Sequence, residues 1–246
     1  MTFSIIAREP ETGFIGIATA TGKIAVGAQV PHLRPGIGAI ATQGYITNPV
    51  YAEDGFRLLE AGWTAKEVVE ALTTRDQSRD WRQVLVMDRN GSTAAATGKA
   101  NEAALGIIEA EGVIVGGNML ASDGVLPAMK ATYRNARRLP HAARLLEALL
   151  AGEAAGGDKR GTCSAAILAQ DEAPWPLNLR IDFTTDLMAA LKDLYRRSTD
   201  KGYKDFRLSL PNRSTGSQQS QAMQRMNAKR SLRRIRRGRG AWLKKL

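Results

Sequence analysis

The residue directly after the initiator methionine carries a hydroxyl, and its position allows two different roles. Thr2 lies at the start of MTFSIIARE, a stretch with the β-branched, apolar pattern of a buried strand. Threonine favours strands, so Thr2 fits as an ordinary strand residue. Once Met1 is removed, however, Thr2 is the first residue of the chain, and its hydroxyl becomes a candidate nucleophile.

A second polar group follows two glycines in AAGGDKRGTCSAAIL. Asp158 and Arg160 bring opposite charges to the turn before a strand, and Ser164 opens that strand. In a catalytic interpretation Asp158 or Ser164 orients the Thr2 amine, and Arg160 binds a substrate carboxylate. In a structural interpretation Asp158 and Arg160 brace the loop as an ion pair. The sequence leaves both interpretations open.

Three further polar residues could serve the same site. Asn118 follows two glycines in VGGNML, where its amide could form an oxyanion hole with a backbone N–H. Alternatively, Asn118 occupies a left-handed turn position, which asparagine tolerates. Thr42 and Gln43 end a strand expected near the first hairpin and could line the pocket. Cys163 is expected to be a small core residue, since strand alternation puts it opposite Ser164.

Composition indicates a globular protein without a membrane anchor. The 246 residues suffice for one large domain or two small ones, and 43% are hydrophobic. No apolar run approaches the roughly 18 to 20 residues that span a bilayer, and no secretory signal is visible. A single cysteine fits a reducing compartment, so we expect a cytoplasmic protein. The cysteine and the two histidines show no metal-ligand spacing.

The positive charge is concentrated at the C-terminus. Eleven of the 35 basic residues lie from Arg213 onwards, which leaves 24 basic residues against 24 acidic ones in the rest of the chain. The sequence predicts a folded domain over residues 1–205 and a basic, disordered tail over residues 206–246. The tail charge suits nucleic-acid phosphates, but the neutral body has no basic stripe, which favours a dispensable extension.

The elements that must position these residues form alternating blocks. Strands are predicted at the start, then two helices, strands, two helices, strands and a last helix. Thr64 and Glu67 form a capping-box pattern, and Asn90-Gly91 is typical of a hairpin turn. The predicted strands are 3–8, 14–21, 24–30, 37–43, 83–88, 92–97, 112–120, 163–170 and 178–183; the predicted helices are 52–61, 64–72, 122–137, 141–151 and 186–197. This order indicates an α+β protein with antiparallel sheets and helices stacked outside them.

Several spaced motifs, MTFSIIAREPETGFIGIATATG, PHLRPGIGAIATQGYITNP, GNML and AAGGDKRGTCSAAIL, resemble the DUF1028 family. This family of unknown function is placed in the N-terminal nucleophile (Ntn) hydrolase superfamily. The resemblance runs from Met1 to about Tyr195. It implies a four-layer αββα sandwich of two antiparallel sheets flanked by helices.

The resemblance also implies a mechanism for Thr2. Removal of Met1 frees an α-amine with a pKa of about 7.7 to 8.0, which can accept the hydroxyl proton directly or through water. Related enzymes place an acid and a lysine near the nucleophile. Here the corresponding strand end has no acid; Thr21 supplies a hydroxyl, and Lys23 is a candidate for the lysine.

The leading hypothesis is therefore an Ntn-type hydrolase that cleaves an amide bond in a small molecule or short peptide. Thr2 is the nucleophile, Asn118, Asp158 and Ser164 complete the catalytic set, and Thr21 joins the substrate-binding residues. Neither a metal nor an organic cofactor is implied, and homo-oligomer formation stays open. The alternatives are a non-catalytic ligand-binding or scaffold module of the same fold, and RNA association through the tail.

Overall fold

The computed structural model describes residues 2–101 and 104–212, which contain ten strands and six α-helices. The strands are β1 Thr2–Arg8, β2 Ile15–Thr21, β3 Pro31–Arg34, β4 Gly38–Gly44, β5 Arg82–Asp88, β6 Thr93–Thr97, β7 Gly106–Ala110, β8 Val113–Asn118, β9 Ser164–Ala169 and β10 Leu177–Ile181. The helices are α1 Val50–Glu60, α2 Ala65–Arg75, α3 Val125–Asn135, α4 His141–Ala154, α5 Leu187–Ser198 and α6 Lys201–Ser209.

The larger sheet has six antiparallel strands in the order β10-β9-β2-β1-β8-β7. Its central strand β1 is buried on both faces. Phe3 and Ile5 pack among side chains of α3 and α4, whereas Ile6 points the other way, towards the second sheet. Strand alternation therefore separates two apolar layers within one short segment.

The smaller sheet has four antiparallel strands in the order β3-β4-β5-β6. Helices α1 and α2 cover its outer face through a cluster that includes Phe56, Val68 and Val84. Its inner face meets the larger sheet through Leu85 and Met87. The layers therefore run helix, sheet, sheet, helix, which confirms the predicted α+β sandwich of two antiparallel sheets.

Local patterns predicted several connections correctly. Thr64 caps α2, with its side chain accepting from Glu67 N while the Glu67 carboxylate accepts from Thr64 N. The turn containing Asn90-Gly91 joins β5 to β6, and Gly91 has a φ of +87° that suits glycine.

The predicted strand 24–30 is wrong. Its centre is a short 3₁₀ turn, Val26–Ala28, entered through Ala25 in a left-handed conformation with φ 58°. The turn packs tightly because a Cβ at Gly27 would lie 2.9 Å from the Ala166 side chain. The actual strand is β3, which lies in the segment predicted to be a linker. Strand β7 was also missed by the sequence analysis.

Within the described residues, 2–171 and 176–195 form one compact unit, and 172–175 with 196–212 form a second. In the second unit Asp200 caps α6 by accepting from Gly202 N and Tyr203 N, and Arg207 donates to Trp175 O. Helix α6 continues beyond residue 205, so residues 206–209 of the predicted tail are helical. The rest of the tail from residue 213 lies outside the described residues.

Candidate active site

Thr2 lies at the first position of the central strand β1, opposite Asn118 of β8. Its side chain points between the two sheets, because it shares a face with Ser4 and Ile6. Only 6% of Thr2 is exposed. Its Oγ1 donates to Thr21 Oγ1 at 3.3 Å, which joins the ends of β1 and β2.

The inter-sheet layer is apolar at one end and polar at the other. Towards the Thr2 end, Ser4 Oγ donates to Gln43 Oε1 at 2.6 Å and lies 2.8 Å from Thr19 Oγ1. All three side chains are buried, so these bonds satisfy groups that would otherwise be costly to remove from water. The hydrogen bond from Ser4 to Gln43 connects the two sheets behind Thr2.

Gln83 is the centre of this network. Its Oε1 accepts from Gln43 Nε2 at 2.6 Å and from Asn118 Nδ2 at 3.2 Å. Its Nε2 donates to Thr97 Oγ1 at 2.9 Å and to Gly117 O at 3.0 Å. Gln83 is fully buried. Its single amide group thus positions three neighbouring polar side chains.

A small cavity of ≈ 60 Å³ lies in front of the Thr2 hydroxyl. Thr2, Thr21 and Gln43 line it together with the exposed residue Lys23. The lining contains one charged residue, Lys23, and no carboxylate among the described residues. The Thr2 hydroxyl therefore faces a neutral cavity with a single cation at its edge.

Two of the four exposed residues that line this cavity are apolar, and the other two are Lys23 and Gln29. Ile24 and Tyr45 belong to its lining and are 66% and 45% exposed. The Tyr45 ring lies 5.4 Å from that of Trp81, which is 41% exposed. The route to Thr2 thus passes exposed apolar surface.

Asp158 supports the end of β2 from the side. Its Oδ2 accepts from Gly22 N at 2.6 Å and from Arg160 Nη2 at 3.0 Å, and its side chain is fully buried. Gly22 permits this approach, since a Cβ there would lie 2.8 Å from Asp158 Oδ1 and 2.4 Å from Gly161 O. The ion pair between Asp158 and Arg160 matches the structural interpretation of this loop.

Ser164 holds the segment that carries the cavity lysine. Its Oγ donates to Lys23 O at 2.6 Å and accepts from Val26 N at 3.2 Å. Ser164 also pairs with Thr21 across β9 and β2. It is therefore one strand away from the hydroxyl that accepts from Thr2.

Two of the four residues predicted to bind substrate, Thr42 and Arg160, lie outside the cavity lining. Thr42 was expected to line the pocket with Gln43, but adjacent strand residues point to opposite faces. The Thr42 side chain faces the helix layer and donates to Asn48 O at 2.9 Å. Arg160, expected at the substrate, is engaged with Asp158.

Asn118 is fully buried and also lies outside the cavity lining. Its Nδ2 donates to Gln83, while its Oδ1 has no hydrogen-bond partner among the described residues. The residue with a left-handed backbone is the next one, Met119, with φ 54°. The turn explanation for Asn118 is therefore wrong by one position.

The surroundings of the single cysteine disfavour its thiolate. Cys163 is half-buried, and burial together with the Asp158 charge raises the pKa of its thiol. Cys163 was predicted to be a core residue, but it is only half-buried. In the parts of the chain that the structure describes, no three His, Cys, Asp or Glu side chains come together as a metal site.

Ser4 and Gln83 were not among the predicted site residues. Ser4 could have been found by alternation, since it shares the Thr2 face of β1, whereas Gln83 gives only the weaker signal of a polar residue beside the apolar run 84–87. A polar residue at a position predicted to be buried on both sides indicates a partner across the core.

Comparisons with known proteins place the chain in a family. The model of DUF1028, a family of unknown function, matches residues 2–191. A DUF1028 protein from Silicibacter pomeroyi, known from its crystal structure, is 36% identical, with a TM-score of 0.81 over 88% of this chain and 97% of its own. Anbu (ancestral beta-subunit) from Yersinia bercovieri matches with a TM-score of 0.38 and 13% identity, over 85% of this chain and 98% of its own. No curated protein matches the chain.

Proposed function

The chain belongs to the DUF1028 family, and on that premise we propose that it is an amide hydrolase of the N-terminal nucleophile type. Thr2 is the nucleophile after removal of Met1. The substrate is a small molecule or short peptide with an amide bond. The observation that carries this proposal is the Thr2 hydroxyl, which lines a cavity at the start of an inner strand and donates to Thr21.

The proposed reaction needs one proton acceptor beside the Thr2 hydroxyl. The free α-amine of Thr2 takes that proton as Oγ1 attacks the amide carbonyl carbon. The C–N bond then breaks, the leaving amine receives the proton, and the acyl group stays on Oγ1 as an ester. Water hydrolyses the ester and restores the Thr2 hydroxyl.

The neighbours of Thr2 have distinct roles in this proposal. Thr21 orients the hydroxyl, and Asn118 Oδ1, opposite Thr2 and without a partner among the described residues, accepts a hydrogen bond from the freed amine. Lys23 contributes positive charge at the cavity, which favours a neutral amine and stabilises the developing oxyanion. Asp158 and Ser164 hold the backbone around Thr21 and Lys23 in place through hydrogen bonds.

The cavity also bears on the size and character of the substrate. A volume of ≈ 60 Å³ accepts a small acyl group, and the exposed side chains of Ile24 and Tyr45 offer an apolar surface to the remainder. The cavity therefore favours a compact substrate with an uncharged acyl group. A folded protein is disfavoured as substrate.

A second candidate function is a non-catalytic module that binds a ligand in the same cavity. The observation in its favour is that no carboxylate lines the cavity within the described residues, and Asp158 is engaged by Arg160 and Gly22. RNA association through the tail stays a prediction, because residues 213–246 lie outside the described residues.

Turnover by Thr2 variants separates the two functions. A panel of fluorogenic small-molecule and dipeptide amides is incubated with wild type, Thr2→Ala and Thr2→Ser. We expect turnover by wild type, partial activity of Thr2→Ser and a loss of at least about a thousandfold in Thr2→Ala.

Intact mass and circular dichroism are the controls for this experiment. Active protein should lack Met1, and Thr2→Ala should keep the wild-type spectrum. Equal turnover by wild type and Thr2→Ala, or activity in protein that retains Met1, contradicts the proposal.

A further inference from the structure

A larger cavity of ≈ 830 Å³ lies at the other end of β1. Thr2 opens the strand and Arg8 closes it, so the two cavities are separated by about 20 Å at roughly 3.3 Å per residue. The turns that follow β1, β5 and β7 form its walls with the end of α3. Its lining shares no residue with the Thr2 cavity.

The side chain of Arg8 is enclosed by two of these turns. A Cβ at Gly91 would lie 2.8 Å from Arg8 Cδ, and a Cβ at Gly13 would lie 3.0 Å from Arg8 Nη2. Both glycines have positive φ, +87° and +73°, so the turns approach the arginine with bare backbone. The guanidinium is thereby held at a defined place in the cavity.

Arg8 also carries an unsatisfied polar atom. Its Nε is buried without a hydrogen-bond partner among the described residues, and its guanidinium makes no ion pair with any of them. Nearby Arg144 shows the contrast, because it pairs with Glu9 at 2.5 Å and stacks on the Tyr133 ring at 4.1 Å. A half-buried cation without a partner is costly, and an anion in the cavity would remove that cost.

We propose that this cavity binds a small molecule through one carboxylate or phosphate group that pairs with Arg8. The planar guanidinium fork suits either anion, since it can donate two parallel hydrogen bonds.

The mixed charge at the cavity mouth limits the ligand. Arg134 and Arg137 are exposed there, as are Glu11, Glu109 and Glu111. These acids repel a polyanion, whereas a compact ligand with one anionic group passes them and reaches Arg8. Nucleic acids are therefore disfavoured at this site.

Ligand-observed NMR at constant ionic strength tests the proposal on the full chain. Inorganic phosphate and acetate are the probes. We expect at least one of them to bind wild type, and Arg8→Gln to weaken that binding tenfold or more. Arg138→Gln is the matched control, because it removes the same charge from an exposed position just after α3, outside the cavity lining.

Each result decides part of the proposal. Binding of phosphate alone identifies a phosphorylated ligand, binding of acetate alone a carboxylate, and binding of both leaves the shared anion chemistry established. Binding of neither probe, or equal binding by wild type and Arg8→Gln, overturns the proposal. Thr2→Ala should bind the probes like wild type, so the anion site and the hydrolase proposal can fail independently.

A second variant covers loss of folding. If circular dichroism shows that Arg8→Gln is unfolded, Arg8→Lys replaces it, since it keeps the positive charge but loses the planar fork that donates two parallel hydrogen bonds. We expect this variant to weaken binding severalfold relative to Arg138→Gln. Identical affinities of the two variants would overturn the proposal in that case.

Discussion

The two ends of strand β1 differ in how they satisfy their polar groups. At the Thr2 end, hydroxyls and amides from both sheets bond to one another, and Gln83 links three of them. At the Arg8 end, full charges meet in a larger cavity, and the Arg8 guanidinium has no partner among the described residues. One end is a neutral network, whereas the other is a charged cavity.

This difference indicates different chemistry at the two ends. A neutral, buried environment suits attack by a hydroxyl on an uncharged amide, because charge develops only during the reaction. A fixed cation without a partner suits recognition of an anion that already carries its charge. The predictions below test each end of the strand separately.

After Thr2 itself, the largest effect is expected from removing the hydroxyl that accepts from Thr2. Thr21→Val keeps the shape of the side chain but loses this hydrogen bond, so we expect amide turnover to fall by about a hundredfold, the scale of one positioned catalytic group. Initial rates on the amide panel measure it.

Thr19→Val is the matched control, since it changes a buried threonine on the same face of β2 that bonds Ser4 instead. Equal losses in the two variants would show that the whole polar layer matters rather than Thr21.

The neutral network predicts a large stability effect at its centre. Gln83→Ala removes the partner of the buried Gln43 and Asn118 amides and of the half-buried Thr97 hydroxyl, so we expect a loss of about 3 kcal/mol in the free energy of unfolding. Urea denaturation measures it, with the exposed Gln77→Ala as control. A loss below about 1 kcal/mol would mean that the network is not a unit.

His141 lies beside the charged end of β1, with its Nδ1 3.0 Å from the hydroxyl of the cavity residue Tyr133, and it predicts a pH effect on stability. Burial and the Arg144 charge lower the pKa of His141 to about 4, below its ordinary value of 6.5. The folded protein thus binds fewer protons than the unfolded chain, and stability falls as the pH drops from 6.5 towards 4. The shift corresponds to about 3 kcal/mol over this window.

Denaturation of wild type and His141→Gln at pH 7 and pH 4 measures this contribution. The variant should lose less stability between the two values than wild type, while His32→Gln should keep the His141 contribution. A parallel pH dependence in wild type and His141→Gln would contradict the assignment.

The smallest effect is expected from the loop beside Thr21. Arg160→Gln leaves the buried Asp158 carboxylate with only its backbone partners, and we expect a loss of about 1 to 2 kcal/mol with KM unchanged. Thermal unfolding and amide kinetics measure the two quantities. Arg180→Gln, from the exposed pair with Asp182, is the control and should change little. A raised KM at unchanged stability would instead assign Arg160 to the substrate.

The sequence was most informative where local physics decides the structure. The capping box at Thr64 and Glu67 and the turn at Asn90-Gly91 depend on neighbouring residues, and both were predicted correctly. The segment 24–30 has strand-like composition, but its course depends on how closely Gly27 approaches Ala166 in β9. A contact between such distant residues cannot be derived from local pattern.

Part of the candidate site was also predictable from local sequence patterns. Thr2, Thr21 and Gln43 lie at strand ends that the hairpin pattern brings to one region, and all three line the cavity. Thr42 was a neighbour in sequence that alternation assigns to the other face. Gln83 required knowledge of how the two sheets face each other, which the sequence does not contain.

The most direct test of the central claim is acylation of Thr2 by an electrophile that mimics the amide carbonyl. Wild type is incubated with a small β-lactone, digested and mapped by mass spectrometry. We expect one stoichiometric ester on the N-terminal peptide that begins with Thr2, absent in Thr2→Ala. An adduct on Cys163 or another residue, or no adduct in folded protein that lacks Met1, would contradict it.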